Sequence, residues 1–105
     1  MLSAGWRRMT DADRDERALE LRERGGPFTG IAEVLAFDSA RAANAAFNRA
    51  LRLRPRAEQV LLRSREVARL DALASRLRSH DDLTVEEVVR RLHGLNHQRK
   101  TLFVS

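Results

Sequence analysis

Five arginines and two asparagines lie between Ser39 and Arg56, with no acid among them. Arg41, Asn44, Ala45, Asn48, Arg49 and Arg52 follow the spacing i, i+3, i+4, i+7, i+8, i+11, which lines one face of a helix. A guanidinium is a planar fork that bonds guanine O6 and N7 together, and a carboxamide does the same with adenine N6 and N7. An alanine between them allows close approach or touches a thymine methyl. The expected base contacts are therefore Arg41, Asn44, Ala45, Asn48 and Arg49. Ser39, Arg52, Arg54 and Arg56, at or past the ends of this helix, suit phosphates, which position a protein without specifying sequence. The plainer alternative is an amphipathic surface helix with a solvated arginine face.

Charge location supports the first reading. The chain carries a formal +5, and the stretch from Ser39 to Arg56 alone supplies +5, so everything else sums to zero. Such a patch is the electrostatic footprint of a nucleic-acid binder. Lys100 is the only lysine among the basic residues. A GC-rich genome produces the same arginine bias, so the bias itself carries no weight.

Composition narrows the class. At 105 residues the chain holds one small domain, or one with an oligomerising extension. With 43% apolar and 33% charged residues a modest core is within reach, which argues against wholesale disorder. No cysteine is present, which removes disulfides and cysteine-based zinc sites. No apolar run approaches membrane-spanning length, and "MLSAGWRRMT" lacks an apolar signal region. The expected location is a bacterial cytoplasm, with no membrane partner and no cofactor.

The elements that must position the arginines are all α. Thr10 is the expected N-cap of a first helix running to Arg24, with Asp11 and Asp13 favoured by the helix dipole. It packs Ala18 with Leu21 and, beside them, Leu19. "GGP" at 25–27 stops it. A second helix spans about Phe28 to Ala36 and buries Ile31, Ala32 and Leu35. Ser39 caps the third, which runs to about Leu53 and ends before Pro55. Its opposite face carries Ala43, Ala46, Phe47, Ala50 and Leu51. A fourth helix covers Arg56 to Arg78, a polar break follows, and "TVEE" at 84–87 is a capping box. The fifth helix continues through Gly94 to about Leu102.

"PFTGIAEVLAFDSARAANAAFNRAL" fits a helix-turn-helix pattern: a small Ala32 at the crossing, a tight turn, then a capped recognition helix. Turns of this kind often hold glycine, and Ala36 stands there instead. Together with "REVARLDALASRL" and "VEEVVRRLHGLNHQRKTLF", the segment resembles helix-turn-helix proteins of actinobacteria and their phages related to the phage terminase small subunit. The resemblance covers about residues 17–103, with "RLDAL" as its sharpest word. It implies a DNA-binding N-terminal module, oligomerising later helices, and the marking of phage DNA for packaging by a separate ATP-driven large subunit. By position, the recognition-helix role falls on Arg41, Asn44, Ala45, Asn48 and Arg49.

In the fourth helix Val60, Val67 and Ala74 recur every seven residues, as do Arg63, Leu70 and Leu77, giving an a/d seam with one charged intrusion at Arg63. The fifth helix adds a second stripe, and the short connection implies an antiparallel hairpin. The expected organisation is a flexible N-terminal arm over 1–10, in which Trp6, Arg7 and Arg8 lie, a helix-turn-helix module over 11–54, and an oligomerisation hairpin over 55–105. The interface set is Val60, Val67, Leu70, Ala74, Leu77, Val85, Val88, Leu92 and Leu95. Two-fold pairing would present two recognition helices to paired half-sites; a monomer with one five-helix core is the other arrangement.

Catalysis is not expected, since no nucleophile–base pairing is visible. His93 and His97 share a helix face but lack a third ligand. The acids Asp11, Asp13, Asp15 and Glu16 are explained by the helix dipole. Two functions remain beside each other: a terminase-small-subunit-like oligomer, dimer or ring, partnering a large terminase subunit, and a dimeric regulator on a palindromic operator, partnering RNA polymerase. An arginine-faced interaction protein for an acidic partner is a third, which leaves the asparagines without a role.

Overall fold

A computed structural model describes residues 9–104. Among them lie five helices and no strand: α1 (Asp11–Glu23), α2 (Phe28–Leu35), α3 (Ala40–Arg52), α4 (Arg56–Arg78) and α5 (Val85–Leu102). Among the described residues no helix is long and apolar enough to cross a membrane. The chain divides into two compact units, the first ending at Arg54 and the second beginning at Pro55. The first eight residues of the expected arm, with Trp6, Arg7 and Arg8, lie outside the described residues. Thr10 is the N-cap of α1, as the sequence leads one to expect.

In the first unit every helix end has a chemical cause. Thr10 Oγ1 accepts from Asp13 N at 3.0 Å, and Thr10 N donates to Asp13 Oδ2 at 3.3 Å, so two orphan N–H groups of α1 are satisfied reciprocally. After α1, Gly25 takes φ 95°, a conformation glycine adopts without steric cost. Pro27 precedes α2, where its missing N–H costs nothing. At the other end Ala36 takes φ 60°, ψ 41°, and Phe37 N donates to Ala32 O at 2.9 Å. The turn therefore adopts the left-handed geometry glycine normally supplies, without glycine. Ser39 Oγ accepts from Ala42 N at 3.1 Å and opens α3.

The core forms around α3, which packs against both α1 and α2. Ala43, Ala46, Phe47, Ala50 and Leu51 are buried, meeting Ala18 and Leu19 from α1 and Phe28, Ile31 and Ala32 from α2. Leu19 is the leucine of α1 that reaches this core, while Leu21 stays half-buried. The alanines explain themselves here: thin side chains let two neighbours approach one helix closely. Phe28 and Phe47 meet edge to face, ring centres 5.7 Å apart at 66°. Buried Arg22 lies over the Phe28 ring at 4.0 Å and donates to Gly26 O at 3.2 Å, closing the α1–α2 turn. Arg14 stacks on Phe37 at 4.4 Å and donates to Ala36 O at 3.3 Å, tying α1 to the turn before α3.

In the second unit α4 and α5 pack against each other. Arg63 near the start of α4 donates from Nε to the Leu102 carbonyl at 3.0 Å, and Asp71 further along pairs with Arg99. Leu62, Leu70 and Leu102 are buried between them, with the carboxylate of buried Glu66 paired to Arg69. Thr84 Oγ1 accepts from Glu87 N at 3.1 Å. Only that half of the expected box forms there; the reciprocal pair occurs at Thr10 and Asp13. Gly94 lies within an unbroken α5.

Candidate nucleic-acid interface

The outer edge of α3 differs from the stripe read in the sequence. Arg41, Arg49 and Arg52 are exposed, Ala42 and Ala45 are half-buried beside them, and exposed Leu53 follows at the helix end. Asn44 and Asn48 are buried, at 6% and 5% exposure, and so do not offer their amides to base edges. The buried positions of α3, from Ala43 to Leu51, span roughly 200° of its circumference at about 100° per residue. A helix this rich in alanine is wrapped past its midline by two neighbours, and the polar residues flanking the apolar stripe are covered with it. The accessible arc is rotated toward Ala42, leaving Arg41, Ala45 and Arg49 of the expected base contacts.

The arginines are not equivalent. Arg41 has no hydrogen bond or ion pair among the described residues. Arg49 is held by Asp15 of α1 through two bonds, Nε to Oδ2 at 2.8 Å and Nη2 to Oδ1 at 2.9 Å. The Arg49 side chain keeps 51% of its surface exposed while Asp15 keeps 12%. Hydrogen bonding to Asp15 raises the Arg49 pKa above its ordinary value, against the opposing effect of burial. Arg54 pairs with Glu16, also from α1, and is half-buried, so it is turned toward its own fold and not toward a phosphate. Ser39 is exposed with its hydroxyl at the cap, and Arg56 is exposed at the start of α4.

The stretch that is uncompensated in sequence is thus partly compensated in space. Asp15 and Glu16 are not first-turn dipole residues, since only Asp11 and Asp13 lie in the first turn of α1. They are the counter-charges of α3 and its end. The signal was present: a helix obliged to pack on α3 carries two adjacent acids one turn past its cap.

The expected oligomer contacts also divide. Val60 and Val85 are exposed, and Val67, Ala74, Leu77, Val88, Leu92 and Leu95 are half-buried. Leu70, at 1% exposure, belongs to the seam between α4 and α5 and is not an outward contact. Leu61, Val89, Phe103 and Val104 are exposed apolar residues the expected set omitted. His93 and His97 are exposed, and no group of three possible metal ligands occurs among the described residues. Set against known protein families, curated proteins and solved structures, the chain finds no match in any of the three.

Proposed function

We propose that this chain binds double-stranded DNA through the exposed arginine edge of α3, as a helix-turn-helix protein, and that α4 and α5 form a hairpin that associates with further copies of itself. The observation that carries the reading is local. A four-residue turn, 36–39, with left-handed Ala36 and the Ser39 cap joins α2 to a helix whose outer edge is Arg41, Arg49 and Arg52 with only Ala42 and Ala45 between them. Small residues between long cations suit a helix lying deep in a groove. Arg41, Ala45 and Arg49 remain the base-edge candidates, with Ser39 and Arg52 for phosphates.

Self-association is supported by the second unit's surface. Val60, Leu61, Val85, Val89, Phe103 and Val104 are exposed, and two helices alone bury too little apolar area to be stable. Within this reading, the resemblance implies a role like that of a terminase small subunit. Fluorescence anisotropy with mixed-sequence duplex at low ionic strength tests the binding. Affinity should fall steeply with salt, and Arg52→Ala, at a phosphate candidate, should lower the slope of log K against log salt by about one. A wild-type chain that retains no duplex at low salt refutes the proposal. Mass in solution tests the role: a ring supports packaging, a stable dimer supports an operator-binding regulator, and a monomer removes the self-association.

A further inference from the structure

We infer that Asp15 is a positioning residue that holds the Arg49 guanidinium so that its outer edge reads a guanine in the major groove. The inference rests on the duplex-binding reading above and names the base recognised at that site.

The geometry is that of a fork gripped by its handle. A guanidinium has five N–H donors, and Asp15 takes two of them, one on Nε and one on Nη2. Three remain, two on Nη1 and one on Nη2. One hydrogen from each of these nitrogens points away from the side-chain stem, roughly parallel, and such a pair spans O6 and N7 of one guanine. A carboxylate on the Nε edge leaves that end pair intact and fixes the plane in which it lies.

The unequal burial of the two partners fits this role. The carboxylate is 12% exposed, so it sits behind the cation and presents little charge to a phosphate. The guanidinium-bearing side chain keeps 51% of its surface exposed, so its free end is open to a ligand. Arg41, on the same edge but without a partner among the described residues, has no such constraint and suits a contact that tolerates variation. Asp15 lies outside the turn and the recognition helix, 34 residues before Arg49, so no local pattern in α3 reveals it.

The test uses the full chain and duplexes selected from a randomised pool. Each guanine of the selected site is replaced in turn by 7-deazaguanine, which removes the N7 acceptor and nothing else. For the wild type one such replacement should weaken binding by about 10- to 100-fold. Arg49→Met, which keeps an unbranched stem but carries no donor, should abolish that penalty and so identify the guanine. Asp15→Asn should abolish most of it while mixed-sequence duplex binds equally well or more tightly, because a negative charge has gone. Asp15→Glu keeps the charge but displaces the fork by a methylene, and should lose the preference too; it carries the test if circular dichroism shows Asp15→Asn unfolded. A tether role predicts the reverse, with the penalty intact in every folded Asp15 variant, and that result overturns the inference while leaving duplex binding standing. So does a wild type that binds duplex without any guanine penalty. Failure to retain duplex at all removes the underlying reading and this inference with it.

Discussion

Replacing Ala36 with glycine should stabilise the protein, against the usual direction of such a change. Ala36 holds φ 60°, ψ 41° at the end of α2. An L-residue in that region carries a penalty of about 1–2 kcal/mol, and glycine removes it. Glycine also has more freedom in the unfolded chain, which opposes the gain by about 0.4–1 kcal/mol. Ala36 is exposed, so no core contact is lost with its methyl, and the bonds at this residue, Phe37 N to Ala32 O and Arg14 to Ala36 O, use backbone acceptors that glycine leaves in place. The net expectation is a gain of roughly 0.5–1 kcal/mol, or about 3–6 °C in the melting temperature of the first unit. Thermal and urea melts followed by circular dichroism measure it, with an unchanged urea slope showing that stability alone has moved. Gly25→Ala is the matched control. Gly25 has φ 95° and no heavy atom within 4 Å of an added Cβ, so its cost is purely conformational and should exceed about 1 kcal/mol. A neutral or destabilising Ala36→Gly beside a destabilising Gly25→Ala would refute the left-handed turn between α2 and α3.

Three further outcomes follow from packing. Phe47→Ala removes a fully buried ring facing Phe28 and should cost about 3–5 kcal/mol, enough to abolish the cooperative melt of the first unit while α4 and α5 keep helical signal. Gly94→Ala, mid-helix with open space around it, should stabilise α5 by up to about 1 kcal/mol in the same melts; a lower melting temperature would contradict the unbroken helix. Val85→Ser combined with Val89→Ser should lower the mass measured by light scattering without loss of helix content, and an unchanged oligomer would remove these positions from any interface.

What the sequence discloses here depends on how far apart in the chain the cause of each feature lies. Thr10, Ser39 and Thr84 mark helix starts because capping is decided within three residues, and Gly25, Pro27 and Pro55 mark ends for the same reason. The buried face of α3, from Ala43 to Leu51, follows from period alone. The fates of Asn44 and Asn48 do not, because the width of the buried arc depends on how closely α1 and α2 approach, and only the alanines hint at that. Nor does the pairing of Arg49 with Asp15 or of Arg54 with Glu16: a count of charge along the chain treats as exposed whatever has no neighbour of opposite sign in sequence. The turn at Ala36 was legible as the place where glycine is usual, but its left-handed conformation was not, since alanine argues for helix.

Arg63 breaks a heptad pattern that would otherwise be apolar, and its bonds to the Leu102 carbonyl and to Gln59 Oε1 give that interruption a use. Leucine and valine seams are forgiving of slippage, because sliding one helix by a turn, about 5.4 Å, replaces one aliphatic contact with another much like it. A guanidinium that must find one particular carbonyl has no such second choice. The alignment of α4 against α5 is therefore pinned at their open ends, away from the connecting turn, like a latch on a sliding door.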